Sequence, residues 1–330
     1  MASKTAQESR AINCTGQVPS DSRWLSTCSP ASEALPAQIR DLLTLSLSDN
    51  SKRAYRADLK QFEASGRTIP CPPDSVAAYI AELADSHAVA SIQRRLAGIA
   101  KAHRAAGFDD PTKAEIVTST MQGIRRLKGV AQREAKALQR DDLFAVLSQM
   151  GKRRIDIRDK ALLLIGFAGA FRRSELVGLD REDVEYVRQG IVIRLRRSKT
   201  DQLSSGRKIA IPFGRTRWCP VQHLNDWLAH SDIEEGPLFR SIDRHGHIAV
   251  QRLSGKAVSI IVKRRAEAAG FDSEPYSGHS LRAGLATSAA MAGASMWKIR
   301  QQTGHASDAM LTRYIRNGDM FTDNAAGSVL

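Results

Sequence analysis

The stretch Tyr276-Ser277-Gly278-His279-Ser280-Leu281-Arg282-Ala283-Gly284 decides how the C-terminal half of this chain is read. Helical spacing begins close to Ser280, so His279 and Arg282 fall on one helical face at i, i+3. Three further polar motifs surround it in sequence. Gly169-Ala170-Phe171-Arg172-Arg173-Ser174-Glu175-Leu176 directly follows an apolar helical run. An arginine there, three residues from a glutamate, is expensive to bury unless it has an assigned partner. Arg197-Ser198-Lys199-Thr200-Asp201 stands at the exit of a predicted strand. Thr303-Gly304-His305-Ala306-Ser307 precedes Leu311-Thr312-Arg313-Tyr314-Ile315.

Each motif alone has an ordinary reading. Arg172 pairs with Glu175, Lys199 is a loop cation, His305 caps a helix and Tyr314 fills a core. Together Arg172, Lys199, His279, Arg282, His305 and Tyr314 form an inventory for attacking a phosphodiester without a metal. Arginines clamp non-bridging oxygens in two-pronged fashion. A lysine can protonate a leaving oxygen, and a tyrosine can act as nucleophile.

Composition narrows the setting. A length of 330 residues suits two domains, and 42% hydrophobic with 25% charged residues excludes disorder of the whole chain. The longest apolar run, 161–171, falls well short of the ~20 residues of a bilayer span. The first ten residues lack an apolar signal core, so the predicted setting is cytoplasmic, nucleoid-associated in a bacterial host. Forty-nine Lys and Arg against 35 Asp and Glu leave a net charge of +14. That surplus predicts a polyanionic partner, nucleic acid rather than membrane. Four cysteines (Cys14, Cys28, Cys71, Cys219) form no CxxC pair and have no histidine at metal spacing. Disulfides and a structural zinc are therefore not expected, and the metal-free inventory above calls for no cofactor.

Residues 1–36 read as a disordered tail, with three basic and three acidic residues and hence no net charge. Residues 37–128 read as a helical DNA-binding domain. Asn50-Ser51 offers a helix cap, Pro72-Pro73-Asp74 opens a second helix, and Ile92, Leu96, Ile99 and Ala100 mark the inner stripe of a third. A fourth helix, 112–127, runs into Arg125-Arg126-Leu127-Lys128. Residues 87–136 hold ten Lys and Arg against four Asp and Glu, which suits contact with phosphates. The candidate DNA-binding residues are Lys52, Arg53, Arg94, Arg95, Lys101, Arg104, Arg125 and Arg126. Residues 129–137 read as a linker and 138–330 as the second domain. That domain is predicted to be mainly helical, with strands at 184–187, 191–195 and 208–211 and helices near 219–230, 253–269, 280–292, 295–302 and 307–315.

The ordered motif set resembles the tyrosine recombinase (phage integrase) family, and within it the Cre-like site-specific recombinases, over about residues 45 to 320. SIQRRLAGIAKAHRAAG is similar to the DNA-gripping helix of that group, YSGHSLRAG to its His-x-x-Arg box and RYIRN to its nucleophile helix. The resemblance implies a mainly α fold. A helical core-binding (SAM-like) domain and a mixed α/β catalytic domain with a small antiparallel sheet would form a C-shaped DNA clamp. It implies that Arg172 and Arg282 are catalytic, Glu175 supports Arg172, Lys199 is the β-hairpin lysine, and His279 and His305 assist. Tyr314 is the implied nucleophile, forming a 3′-phosphotyrosyl link on the way to a Holliday junction. Arg173 stands where the family usually has an apolar or small residue, and the Arg-x-x-Glu spacing selects Arg172. The implied partner is duplex DNA carrying a short inverted-repeat core site, bound by a homotetramer on two paired sites. The segment after Tyr314 is expected to dock into a neighbouring subunit. Two rival readings are a type IB-like topoisomerase and a catalytically idle DNA-binding architectural protein.

Overall fold

The computed structural model describes residues 48–129, 135–196, 206–305, 307–308 and 311–312. Lys199, Tyr314, the 1–36 tail and the segment after Tyr314 lie outside these residues. The chain divides into two compact units, Met1–Gln132 and Arg133–Leu330.

In the first unit, α1 (Asp49–Ala64), α2 (Pro73–Leu83), α3 (Val89–Ala105) and α4 (Glu115–Lys128) enclose one core. Ser48, not Asn50 or Ser51, caps α1, its hydroxyl accepting from Ser51 N at 3.3 Å. Pro73 opens α2 at a position where no amide hydrogen is needed. Leu59 and Phe62 of α1 meet Val76, Tyr79 and Ile80 of α2 and Ile92 and Ile99 of α3, with Phe62 and Tyr79 edge to face at 4.9 Å. A 3-10 turn, Pro111–Lys113, precedes α4, so that helix starts three residues later than its sequence suggests.

One expectation fails here. Arg95 is only 6% exposed, its guanidinium held by the Tyr79 hydroxyl (2.8 Å) and His87 Nε2 (2.9 Å). It is not a phosphate contact. The reason lies in the helical period: Arg95 is three residues after Ile92 and four before Ile99, so it belongs to the buried stripe. Its neighbour Arg94 grips the buried Asp58 with both arms at 2.8 Å and joins α3 to α1.

The second unit is built on α6 (Arg154–Ala168), buried along most of its length. Around it stand α5 (Arg140–Ser148), α7 (Arg173–Gly178), α8 (Pro220–Ser231), α9 (Gly255–Ala268), α10 (Ser280–Met291) and α11 (Met296–Thr303). The strands β1 (Val184–Val187), β2 (Gly190–Leu195) and β3 (Arg207–Pro212) form an antiparallel sheet in that order. Ile191, Ile193 and Leu195 of β2 and Ile209 and Ile211 of β3 enter the core, and Leu195 pairs with Arg207 where the two strands part. A second hairpin, β4 (Arg240–Ile242) with β5 (Ile248–Arg252), was not expected from the sequence. Its strands are short and largely unburied, so they show no alternation to read.

The expected linker 129–137 also needs correction at its C-terminal end. Lys136 N donates to Pro275 O (2.9 Å) and Leu138 N to Ser280 O (3.0 Å), so the chain already belongs to the second unit there. Gly284 permits this approach, because a Cβ at that position would collide with the Leu138 carbonyl. No helix among the described residues is long and apolar enough to cross a membrane.

Candidate active site

The C-terminus of α6 makes the first wall of the site. Ala170 adopts a left-handed conformation (φ 49°), an unusual state for a residue with a Cβ. Its carbonyl accepts from Arg282 Nη1 at 2.8 Å. Arg172 follows as the N-cap of α7, and Glu175 closes back on it. The Glu175 carboxylate accepts from Arg172 N (2.9 Å) and from Arg172 Nη1 (2.7 Å). A backbone bond and a charge-assisted bond to one carboxylate fix the Arg172 side chain. Arg173 turns elsewhere, donating to Ser259 Oγ at 3.1 Å on the exposed side.

The second wall comes from α10 and α11. Arg282, 2% exposed, stands on the inner face of α10 and donates also to the Thr303 carbonyl at the end of α11. Gly304 ends α11 in the left-handed region (φ 66°), and its carbonyl accepts from Arg172 Nη2 at 3.5 Å. His305 comes next, 5% exposed, with Nδ1 2.8 Å from the Thr303 hydroxyl. Burial and the surrounding charges of Arg282, Arg172 and Arg207 push its pKa down to about 3. The imidazole is therefore neutral at physiological pH, a hydrogen-bonding group rather than a cation.

Arg172, Glu175, Arg282 and His305 thus meet at the turn 303–305. His279 lies at the start of α10, exposed, its amide donating to Ser277 Oγ at 3.1 Å. Lys199 and Tyr314 lie outside the described residues, but their flanks are anchored. Arg196 is tied to Asp183 (2.7 Å) and Asp180 (3.3 Å) three residues before Lys199. The helical Leu311 packs against Ile299 and Ala286 three residues before Tyr314.

One residue at the site escaped the sequence reading. Arg207 donates through Nη1 to the carbonyls of Gln301 and Gln302, both at 3.3 Å. Burial and the charge of Arg172 lower its pKa, against the opposing pull of Glu175. The signal was present in the alternation of β3, where Arg207 shares parity with Ile209 and Ile211. In the first unit, Arg53, Arg94, Arg104, Arg125 and Arg126 are exposed, while Lys52 and Lys101 are half-buried.

Comparison with known proteins places this geometry. The model of the phage integrase family matches residues 136–320. The integrase/recombinase xerD homolog of Selenomonas ruminantium is 39% identical over 303 residues, 89% of each chain. Recombinase cre of Escherichia phage P1 is 30% identical over 274 residues, covering 77% of this chain and 78% of that one. The expected likeness to Cre is thus present, and the XerD-named relative is more similar still. Among solved structures, XerH recombinase in a post-cleavage complex with palindromic difH substrate superposes with a TM-score of 0.63 at 16% identity. That match covers 88% of this chain and 83% of the other. Lambda integrase (residues 75–356) bound to DNA gives 0.61 at 18% identity, covering 92% and 97%. At such identities the structural matches speak for the fold, while the family model and the sequence relatives decide membership. This chain belongs to the phage integrase family and is a tyrosine-type site-specific DNA recombinase.

Proposed function

We propose that Tyr314 attacks a phosphate of duplex DNA held by Arg172 and Arg282. The observation that supports this reading is the convergence of the buried Arg282, the partly exposed Arg172 and a neutral His305 on the turn 303–305. Preorganised donors aimed at developing charge supply a large part of the rate of such reactions. The tyrosine oxygen bonds to phosphorus as the bond to the 5′-oxygen breaks, leaving a 3′-phosphotyrosyl link and a free 5′-hydroxyl. His279 assists removal of the phenolic proton, and Lys199 protonates the departing 5′-oxygen. Arg172 and Arg282 neutralise the pentavalent phosphate with planar two-pronged donors, and His305 adds a hydrogen bond. Glu175 keeps Arg172 in place. The energy of the broken bond is kept in the phosphotyrosyl link, so rejoining needs no nucleotide. A homotetramer on two paired core sites exchanges strands through a Holliday junction, in the cytoplasm and, in a bacterial host, on the nucleoid.

The exposed arginines of the first unit, Arg53, Arg94, Arg104, Arg125 and Arg126, with Lys52 and Lys101, bind the phosphates of the same duplex. The topoisomerase and architectural readings gain nothing from the relatives, which are named as recombinases and an integrase.

Tyr314→Phe tests the reading. Incubation with a duplex recovered from random sequences by binding to the full chain should give a covalent complex with wild type and none with the variant, at similar duplex affinity. A covalent complex in the phenylalanine variant overturns the assignment.

A further inference from the structure

Arg207 has no part in the chemistry set out above, yet it is built into the same turn. It opens β3 on the face that carries the buried Ile209 and Ile211, so the strand turns its guanidinium inward. Nη1 is satisfied by the carbonyls of Gln301 and Gln302. Nη2 is buried and meets no hydrogen-bond partner among the described residues. A charged donor in that position carries its full desolvation cost with no return, so such atoms in folded proteins call for a ligand.

Electrostatics point the same way. Arg172 opposes the charge on Arg207, and Glu175 is the carboxylate that favours it. That same carboxylate is already bound to Arg172. Two neighbouring guanidiniums with one carboxylate near them, bound to Arg172, leave positive charge that an anion would neutralise. All three arginines act on the same buried imidazole, His305. Sterics add a third constraint, because a Cβ at position 304 would run into the Arg207 guanidinium. Glycine there both ends α11 and leaves Arg207 its place.

Resting on the phosphoryl-transfer reading above, we propose that Arg207 is a third phosphate-binding guanidinium of this site, its Nη2 donating to a non-bridging oxygen of the phosphate that is cut. It is then a catalytic residue, and it also links β3 to the turn that presents His305.

The test uses the full chain and the selected duplex, with the cut phosphate mapped from the wild-type covalent complex. Arg207→Met should slow single-turnover formation of that complex by ~10²–10³-fold, the usual loss for one preorganised donor, while duplex affinity stays close to wild type. Arg207→Lys keeps the charge without the fork and should recover only part of the rate. A second substrate carries a methylphosphonate at the cut position, which removes the charge of one non-bridging oxygen. On it the deficit of Arg207→Met relative to wild type should shrink, because the charge that Arg207 neutralises is gone. A role confined to holding the fold predicts the same deficit on both substrates, and that equality overturns the proposal even if the variant melts earlier. So does a wild-type rate in Arg207→Met. If wild type itself forms no covalent complex, the phosphoryl-transfer reading has failed and this proposal falls with it.

Discussion

Two clusters of buried and half-buried arginine stand at opposite ends of α6, and their charge balance separates them. At the N-terminal end, Arg158 binds Asp159 through Nε (2.9 Å) and Nη2 (2.6 Å). Arg265 reaches the same Asp159 through Nε (2.7 Å) and Asp156 through Nη2 (2.8 Å). Two buried carboxylates thus answer two buried guanidiniums, while the exposed Arg153 and Arg264 lean on the outside at 3.0 and 3.6 Å. At the C-terminal end, Glu175 is bound by Arg172 and acts on Arg207 only through its charge, and Arg282 is engaged by the carbonyls of Ala170 and Thr303. The first cluster is closed and joins α6 to α9. The second is poised for an anion. Burial of arginine therefore does not mark a site in this molecule; the ratio of arginine to carboxylate does.

The largest effect that could break this comparison belongs to the closed cluster. Asp159→Ala leaves Arg158 and Arg265 buried without their shared partner and should cost about 3–5 kcal/mol of stability, measured by urea unfolding. The rate of covalent complex formation per folded molecule should not change. Next come Arg172→Lys and Arg282→Lys, which keep charge but lose the planar fork. Each should reduce that rate by ~10²–10³-fold, about 2.7–4 kcal/mol of barrier, with duplex affinity largely retained. Arg173→Lys, whose side chain faces Ser259, should behave as wild type. If Asp159→Ala slows chemistry while Arg172→Lys only unfolds the protein, the two clusters have been assigned the wrong way round.

A smaller effect sharpens the open cluster through pH. The unfolded state takes up a proton on His305 near pH 6.5. The folded state holds that pKa down to about 3, so the neutral form is the one that fits. His305 thus contributes stability that is fully present above pH 6.5 and lost as pH falls towards 3. His305→Asn removes the titration, so unfolding free energy should fall less steeply with acid in the variant, by up to about 1.4 kcal/mol per pH unit in that window. An unchanged acid slope would show that burial and the arginines do not hold this imidazole neutral.

The helices and the three-stranded sheet could be read before the structure because their signals are periodic. Ile92 and Ile99 recur at helical spacing, and Ile209 and Ile211 at strand spacing. The same periods also held Arg95 and Arg207, one turned inward by helical parity and one by strand parity. Arg95 was misread because charge was given more weight than position, and Arg207 was passed over although its parity with Ile209 and Ile211 was there to be read. Arg172 and Glu175 were legible as a pair since a short i, i+3 spacing fixes their contact. The contact of Arg172 with Gly304, by contrast, joins residues 132 apart in sequence, and no local pattern carries it. The β4–β5 hairpin was missed because a strand of three residues has too few positions to show a period.

The smallest effect is a control on the argument for Arg207. Tyr276 is 1% exposed, and its hydroxyl also meets no hydrogen-bond partner among the described residues. Its ring, however, is held by other means, edge to face with Phe271 at 6.3 Å and with Lys136 Nζ 5.4 Å from its centroid. The unmatched atom is neutral and has no convergent charge around it like that at Arg207. Tyr276→Phe removes only the hydroxyl and keeps the packing. It should leave covalent complex formation untouched and change stability by between zero and about 1 kcal/mol in the favourable direction, because the desolvation cost of an unpaired hydroxyl disappears. Thermal melting and the single-turnover assay measure the two quantities on one preparation. If Tyr276→Phe lost activity as Arg207→Met is expected to, an unmatched buried donor would report only local packing. If Tyr276→Phe melts higher and cuts at the wild-type rate, the difference between the two atoms lies in the surrounding charge, as the contrast between the clusters requires.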